Sequence, residues 1–166
     1  MPVYAVPDRD IRGTTSPADS QPPAPDPADT ADQVSYWQQR LSGISPLELP
    51  TDGSTEPTGT GPGRGVPFQL PDAVADQVRR VSRTLGVTTF STLLAAFQAL
   101  VGRLAGADDF GVAVPIAGRL SPDSEDLIGF FVNTVVVRAG LAGDQTFREL
   151  ALRTQDGLLD ALTHQQ

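Results

Sequence analysis

The chain has no cysteine and, among its twelve basic residues, no lysine: all twelve are arginine. The first absence removes thiol catalysis, disulfides and thiolate metal sites. The second removes a lysine-ended phosphate loop, a Schiff-base lysine and a lysine general base. One histidine, His164, is too few for a histidine-rich metal site or a histidine pair within the chain. Positive charge is scarce overall, twelve basic groups against twenty acidic ones, giving a net charge of −8 and a pI near 4.4. So acidic a surface repels phosphate backbones and anionic bilayers, and we expect neither nucleic acid nor membrane as a partner. There is no run of about 18 apolar residues and no charged-then-apolar leader, so a cytoplasmic protein is the expectation.

What the chain does have is unevenly spread. Its 166 residues suffice for one ordinary domain, yet twelve of the fifteen prolines fall in the first 67 positions. Residues 1–31 combine seven prolines with a row of aspartates and cannot build a packed core. They read as a flexible arm, or as a docking segment in which Val3-Tyr4-Ala5-Val6 adds to a sheet edge. Residues 32–166 read as the folded part. From Asp32 to Gly43, Val34, Trp37 and Leu41 share one face of a helix capped by Asp32 and ended by Gly43. Glycines 53, 59, 61, 63 and 65 then sit in a proline-rich crossover. Without a strand before them and a lysine after, they do not form a nucleotide loop.

The longer apolar runs come later. Residues 66–70 (VPFQL) suggest a short edge strand. Val74, Val78, Val81 and Leu85 recur at helical spacing, ending at Gly86. Thr88 or Thr89 caps a second helix whose Phe90, Leu93, Leu94, Phe97, Leu100, Val101 and Leu104 predict a nearly buried element. Residues 110–117 (FGVAVPIA) predict a strand covered on both faces, and 127–138 a second, β-branched one. Thr146 caps a last helix bearing Phe147, Leu150, Leu158 and Leu162 on one side. Strands alternating with helices give an α/β fold, a layered sheet with packed helices. Asn133, a polar amide inside FFVNTVVV, needs partners if buried and is the residue to watch.

Several segments carry a family resemblance. Residues 128–138 (IGFFVNTVVVR) resemble the IGxFVNTxxxR motif of condensation domains in nonribosomal peptide synthetases. In order and spacing, Tyr36-Trp37 through Gly43 resembles the YWxxxLxG helix, and Leu49-Pro50-Thr51-Asp52 the LPTD loop. Asp109 to Arg119 resembles the strand and GR turn, Thr146 to Leu150 the next helix start, and His164-Gln165 the opening of HQxxPFE. The resemblance implies a chloramphenicol acetyltransferase-like fold, in which two subdomains form a V around a tunnel, and it covers the C-terminal subdomain only. The family's HHxxxDG signature, which belongs to the other subdomain, does not occur in this sequence.

The resemblance further implies a tunnel lining of Gly129, Phe131, Asn133 and Thr134; the residues themselves suggest structural anchors at Arg119, after Gly118, and at Arg138, the strand end, with no catalytic residue and no metal in this chain. It implies no cofactor here, the substrate thioester riding on phosphopantetheine of a partner. That partner is a peptidyl carrier protein or an upstream synthetase. The starting Met and untagged arm suggest a native start, and the stop two residues into HQxxPFE a cut boundary or truncation. Three readings follow: a truncated, catalytically inactive remnant serving as docking platform; half of a split condensation enzyme completed by an HHxxxDG-bearing chain; or an unrelated α/β interaction domain, preferred if residues 109–119 and 128–138 are not neighbours in one sheet. A lone subdomain would also expose an apolar face, so a homodimer is expected.

Overall fold

The structure, a computed structural model, describes residues 27–50, 65–118, 130–141 and 143–165. The arm up to residue 26, the glycines from 53 to 63, and the 119–129 segment with Arg119 and Gly129 lie outside the described residues. Four helices and two strands run in the order α1 (Pro27–Leu41), α2 (Asp72–Leu85), α3 (Thr89–Ala105), β1 (Asp109–Ala117), β2 (Val132–Gly140) and α4 (Phe147–Thr163).

Local chemistry fixes the helix ends. The Pro71 carbonyl accepts the first N–H groups of α2, from Val74 and Ala75. Gly86 closes that helix in the left-handed conformation, φ 71°. Thr88 then caps α3, accepting the Ser91 N–H at 3.0 Å. At α4 the capping box is complete: Thr146 Oγ1 accepts the Glu149 N–H, and the Glu149 carboxylate accepts the Thr146 N–H at 2.8 Å.

The strands pair antiparallel from Asp109 opposite Gly140 to Ala117 opposite Val132. One face of this ribbon, carrying Phe110, Val114, Val135, Val137 and Ala139, is buried. It packs under α3 and α4 through Leu94, Val101, Leu158 and Ala161. Between the two helices Thr154 donates to Gln98 Oε1 at 2.8 Å, and Ser82 and Thr92 share a hydrogen bond at 2.7 Å between α2 and α3. The two motif strands are therefore neighbours in one sheet, so the condition that would have favoured the unrelated-domain reading is not met.

Four sequence expectations change. Helix α1 starts at Pro27 rather than Asp32, because proline is suited to a first helical turn, where its missing N–H costs nothing. Residues 66–70 form no strand: Pro67 cannot donate, and Val66 and Phe68 are exposed. Strand β1 is covered on one face only, with Gly111, Ala113, Pro115 and Ala117 exposed. Helix α3 is half-buried; Phe90, Leu93, Phe97, Leu100 and Leu104 face outward while Ser91, Thr92 and Gln98 are buried. Apolar periodicity locates a stripe, and does not say which partner covers it.

The turn from α3 into β1 depends on glycine. A Cβ on Gly102 would collide with Leu141 and lie 2.8 Å from the Ala107 carbonyl, whereas a Cβ on Gly106 would meet nothing but a left-handed φ of 62°. Gly102→Ala should therefore cost about 1–3 kcal/mol by overpacking, despite alanine's better helix propensity. Gly106→Ala should cost about 1 kcal/mol through backbone strain. Urea midpoints of the two variants check both values.

Candidate functional site

The ladder continues one step beyond each strand end, with Gly118 N–H donating to Phe131 O at 2.8 Å and Leu141 N–H to Asp108 O at 2.6 Å. This phase makes residues 133, 135, 137 and 139 bond inward to β1, so Thr134, Val136 and Arg138 turn their backbone groups away from it. At the head of β2, Phe130 is 89% exposed, Val132 51%, and Asn133 and Thr134 are exposed beside them. Phe131 is half-buried.

Asn133 is held by both ends of its amide. Its Nδ2 donates to Gln165 O at 2.5 Å, and its Oδ1 accepts the Thr134 N–H at 2.8 Å. The end of α4 is thereby tied to the start of β2. Beside this tie, His164 stacks on Tyr36 with ring centroids 3.7 Å apart and 4° between planes. Its carbonyl accepts the Trp37 indole N–H at 2.7 Å, and its Nδ1 lies 2.8 Å from the Asp160 carbonyl oxygen. A carbonyl can only accept, so Nδ1 is the donor in that contact. Burial pushes the neighbouring Tyr36 phenol above its usual 10.0. Tyr36, Trp37, Asn133, His164 and Gln165 thus join the first helix, the second strand and the last helix at one corner.

At the other end of β2 sits a second junction. Arg138 donates to both Asp109 carboxylate oxygens, Nε to Oδ1 at 2.7 Å and Nη2 to Oδ2 at 2.5 Å. Its Nη1 donates to the carbonyls of Arg40 and Ser42 at 2.9 and 3.1 Å. One guanidinium therefore fastens β1, β2 and the end of α1, using the fork geometry that lysine lacks. The hydrogen bond from Arg138 holds the Asp109 carboxyl below its usual 3.8, and Asp109 raises Arg138 in turn.

Chemically, this corner offers one imidazole, with its Nδ1 turned to a backbone carbonyl. Among the described residues, no carboxylate is bonded to that ring. Amide formation from a thioester needs an amine proton to be accepted or positioned and a tetrahedral oxyanion to be stabilised. Among the described residues no group of three or more His, Asp or Glu side chains could hold a metal, and no single helix is long and apolar enough to cross a membrane. The sequence singled out Phe131, Asn133, Thr134 and Arg138; the structure brings the first three together and sets Arg138 at the far end of the strand. It missed Asp109 and Tyr36 as partners. Asp109 could have been found as the acid diagonal to Arg138 in an antiparallel pair, whereas nothing in the sequence signals the Tyr36–His164 stack.

A two-stranded ribbon under two helices, with an exposed asparagine–threonine strand head and an arginine at the strand's far end, makes a mixed α/β unit. The chain belongs to the condensation domain family, whose model matches residues 25–166. Among curated relatives it is 42% identical over 136 residues to a linear gramicidin synthase of Brevibacillus parabrevis, covering 81% of this chain and 3% of that protein. It is 36% identical over 137 residues to the phosphinothricin tripeptide synthetase PhsB of Streptomyces viridochromogenes, covering 82% and 12%. The chain thus spans only a small part of these relatives.

Solved structures agree. The SgcC5 protein of Streptomyces globisporus superposes with a TM-score of 0.70 at 30% identity, covering 92% of this chain and 37% of that one. The first condensation domain of the CDA synthetase superposes at 0.67 and 20% identity, covering 82% and 30%, and so attests the fold. The architecture is the chloramphenicol acetyltransferase-like one.

Because Asp109 has its pKa lowered in the folded chain, the pair stabilises the protein above the unfolded aspartate value near 3.8, and that stability is lost as pH falls through the folded value. Urea midpoints measured at pH 7 and pH 3 should fall more steeply with acid in the parent chain than in Asp109→Asn, which also starts lower at pH 7.

Proposed function

We propose that this chain is a non-catalytic half of a peptide-bond-forming condensation unit, a platform that docks an upstream synthetase or a peptidyl carrier protein. The proline-rich residues ahead of α1 act as its arm, and the chain from α1 onward as the partial condensation domain. The substrate thioester arrives on the phosphopantetheine of the partner carrier, and the setting is the cytoplasm. One observation carries this reading: the head of β2 exposes Phe130 and Val132 beside the hydrogen-bonding Asn133 and Thr134. This apolar and polar pairing suits a tunnel wall that needs an opposite wall. The chain's single imidazole supports the same reading, since it is engaged in packing α1 against α4. With Asn133 and Thr134, Phe131 and Gly129 line the tunnel, and Arg119 and Arg138 anchor the two strands.

A second reading keeps the same surface and adds turnover, with a separate chain bearing HHxxxDG completing a split enzyme. Both are tested in one assay. The chain is incubated with aminoacyl-loaded donor and acceptor carriers, with and without a purified HHxxxDG-bearing half, and the product is read by mass spectrometry. No peptide from the chain alone is expected. Carrier or half-domain retention should weaken at least about tenfold in Phe130→Asp, the loss typical of an exposed aromatic anchor. Peptide formed by the chain alone would sink the non-catalytic reading, and peptide formed only in the mixture selects the split enzyme.

A further inference from the structure

Helix α4 ends without the device that ends its neighbours. Helices α2 and α3 stop at Gly86 and Gly106, both left-handed, whereas α4 passes into His164 at φ −114° and ψ 41° with no basic residue in its last turn. Side chains do the stopping instead. His164 Nδ1 donates to the Asp160 carbonyl and Gln165 Nε2 to that of Leu162, both at 2.8 Å, which satisfies two of the carbonyls that a helix end leaves open. The carbonyls of the same two residues are held from outside α4. That of His164 accepts the Trp37 indole N–H, and that of Gln165 accepts Asn133 Nδ2.

We infer that Asn133 is a positioning residue: by holding Gln165 it sets the turn on which α1 docks, so the head of β2 and helix α1 are coupled through the end of α4. Strand alternation aims it there. Asn133 has the parity of Val135, Val137 and Ala139, the face covered by the helices, while Thr134 belongs to the opposite face with Val136 and Arg138. Only the two backbone dihedrals of Gln165 separate the carbonyl held by Asn133 from the one held by Trp37. Tyr36 and Trp37, edge to face at 5.1 Å, carry the position of that turn into α1, Tyr36 through its 3.7 Å stack on His164. Without the Asn133 donor the Gln165 carbonyl returns to water and those dihedrals are released, which loosens both aromatic contacts of α1 together. Coupling of this kind is reciprocal, so releasing Trp37 loosens the strand head. The clasp does not rest on the tunnel reading, since neither substrate nor carrier enters its test. Every contact in it lies within the described residues.

Trp37 is the only tryptophan among the 166 residues, so its fluorescence reports the α1 end of the clasp alone. In the full chain, Asn133→Ala should raise acrylamide quenching of Trp37. It should also speed amide hydrogen exchange in segments 34–41 and 159–165 at least about threefold, the effect of losing one net hydrogen bond. Asn133→Asp, which keeps an acceptor for the Thr134 N–H and loses the donor, should do the same. Val132→Ala, on the other face of the same strand, should not. In the reverse direction Trp37→Phe, which lacks the indole N–H, should speed exchange at the head of β2. Exchange in α3 should stay at the parent rate in every variant, which separates loss of the clasp from general destabilisation. Should Asn133→Ala fail to fold by far-UV circular dichroism, the Asn133→Asp and Trp37→Phe measurements decide instead. Unchanged Trp37 quenching and exchange in the Asn133 variants overturns the inference. So does an equal rise in Val132→Ala, a strand head indifferent to Trp37→Phe, or a rise in α3 as large as that in α1.

Discussion

A two-stranded antiparallel ribbon is not stable on its own in water, and the structure depends on how this one is covered. Strands β1 and β2 bury a single face, and the helices α3 and α4 supply that cover through Leu94, Val101, Leu158 and Ala161. The hydrophobic term that holds the fold is therefore concentrated in one layer of contact. The buried Thr154–Gln98 and Ser82–Thr92 bonds fix how the helices lie beside one another. Such pairs are costly to break inside a low-dielectric interior, so they specify register between helices more than they add net stability.

Helix α1 is attached by polar and aromatic contacts at its C-terminal half. Tyr36 and Trp37 grip His164 near the end of α4, and the carbonyls of Arg40 and Ser42 receive Arg138. The lone histidine and one strand-end arginine thus do the joining that thiols or metal ions do in other small folds. The same contacts place the corner formed by Asn133, His164 and Gln165 against the exposed strand head.

Much of this was legible in the sequence because it is local. Caps at Thr88 and Thr146, the stop at Gly86, and the β-branched strand up to Arg138 all follow from residue types at short range. The ordered motifs around Tyr36-Trp37, Asp109–Arg119 and Ile128–Arg138 gave the family, which a period of 3.6 or 2 could not. What failed was the assignment of faces. The α3 seam and the valines of α2 have the pattern of a core, and sequence periodicity cannot tell a face turned to the sheet from one turned to solvent. Long-range partners such as Asp109 and Arg138, 29 residues apart, became visible only once the strand register was known. For the tunnel-lining set the sequence named Asn133 and Thr134 by likeness, while the amide's bonds to Gln165 and Thr134 come from tertiary placement.

The Asn133 amide has one more effect, on how this ribbon meets other strands. Thr134 lies opposite Pro115, and both turn their backbone nitrogens outward from the pair. Proline has no hydrogen to offer there, and that of Thr134 is already given to Asn133 Oδ1. At this one level neither border of the ribbon can donate to a passing strand. A chain zipping along either side would meet a missing rung, so the fold guards against runaway sheet growth at the end where its surface is most apolar.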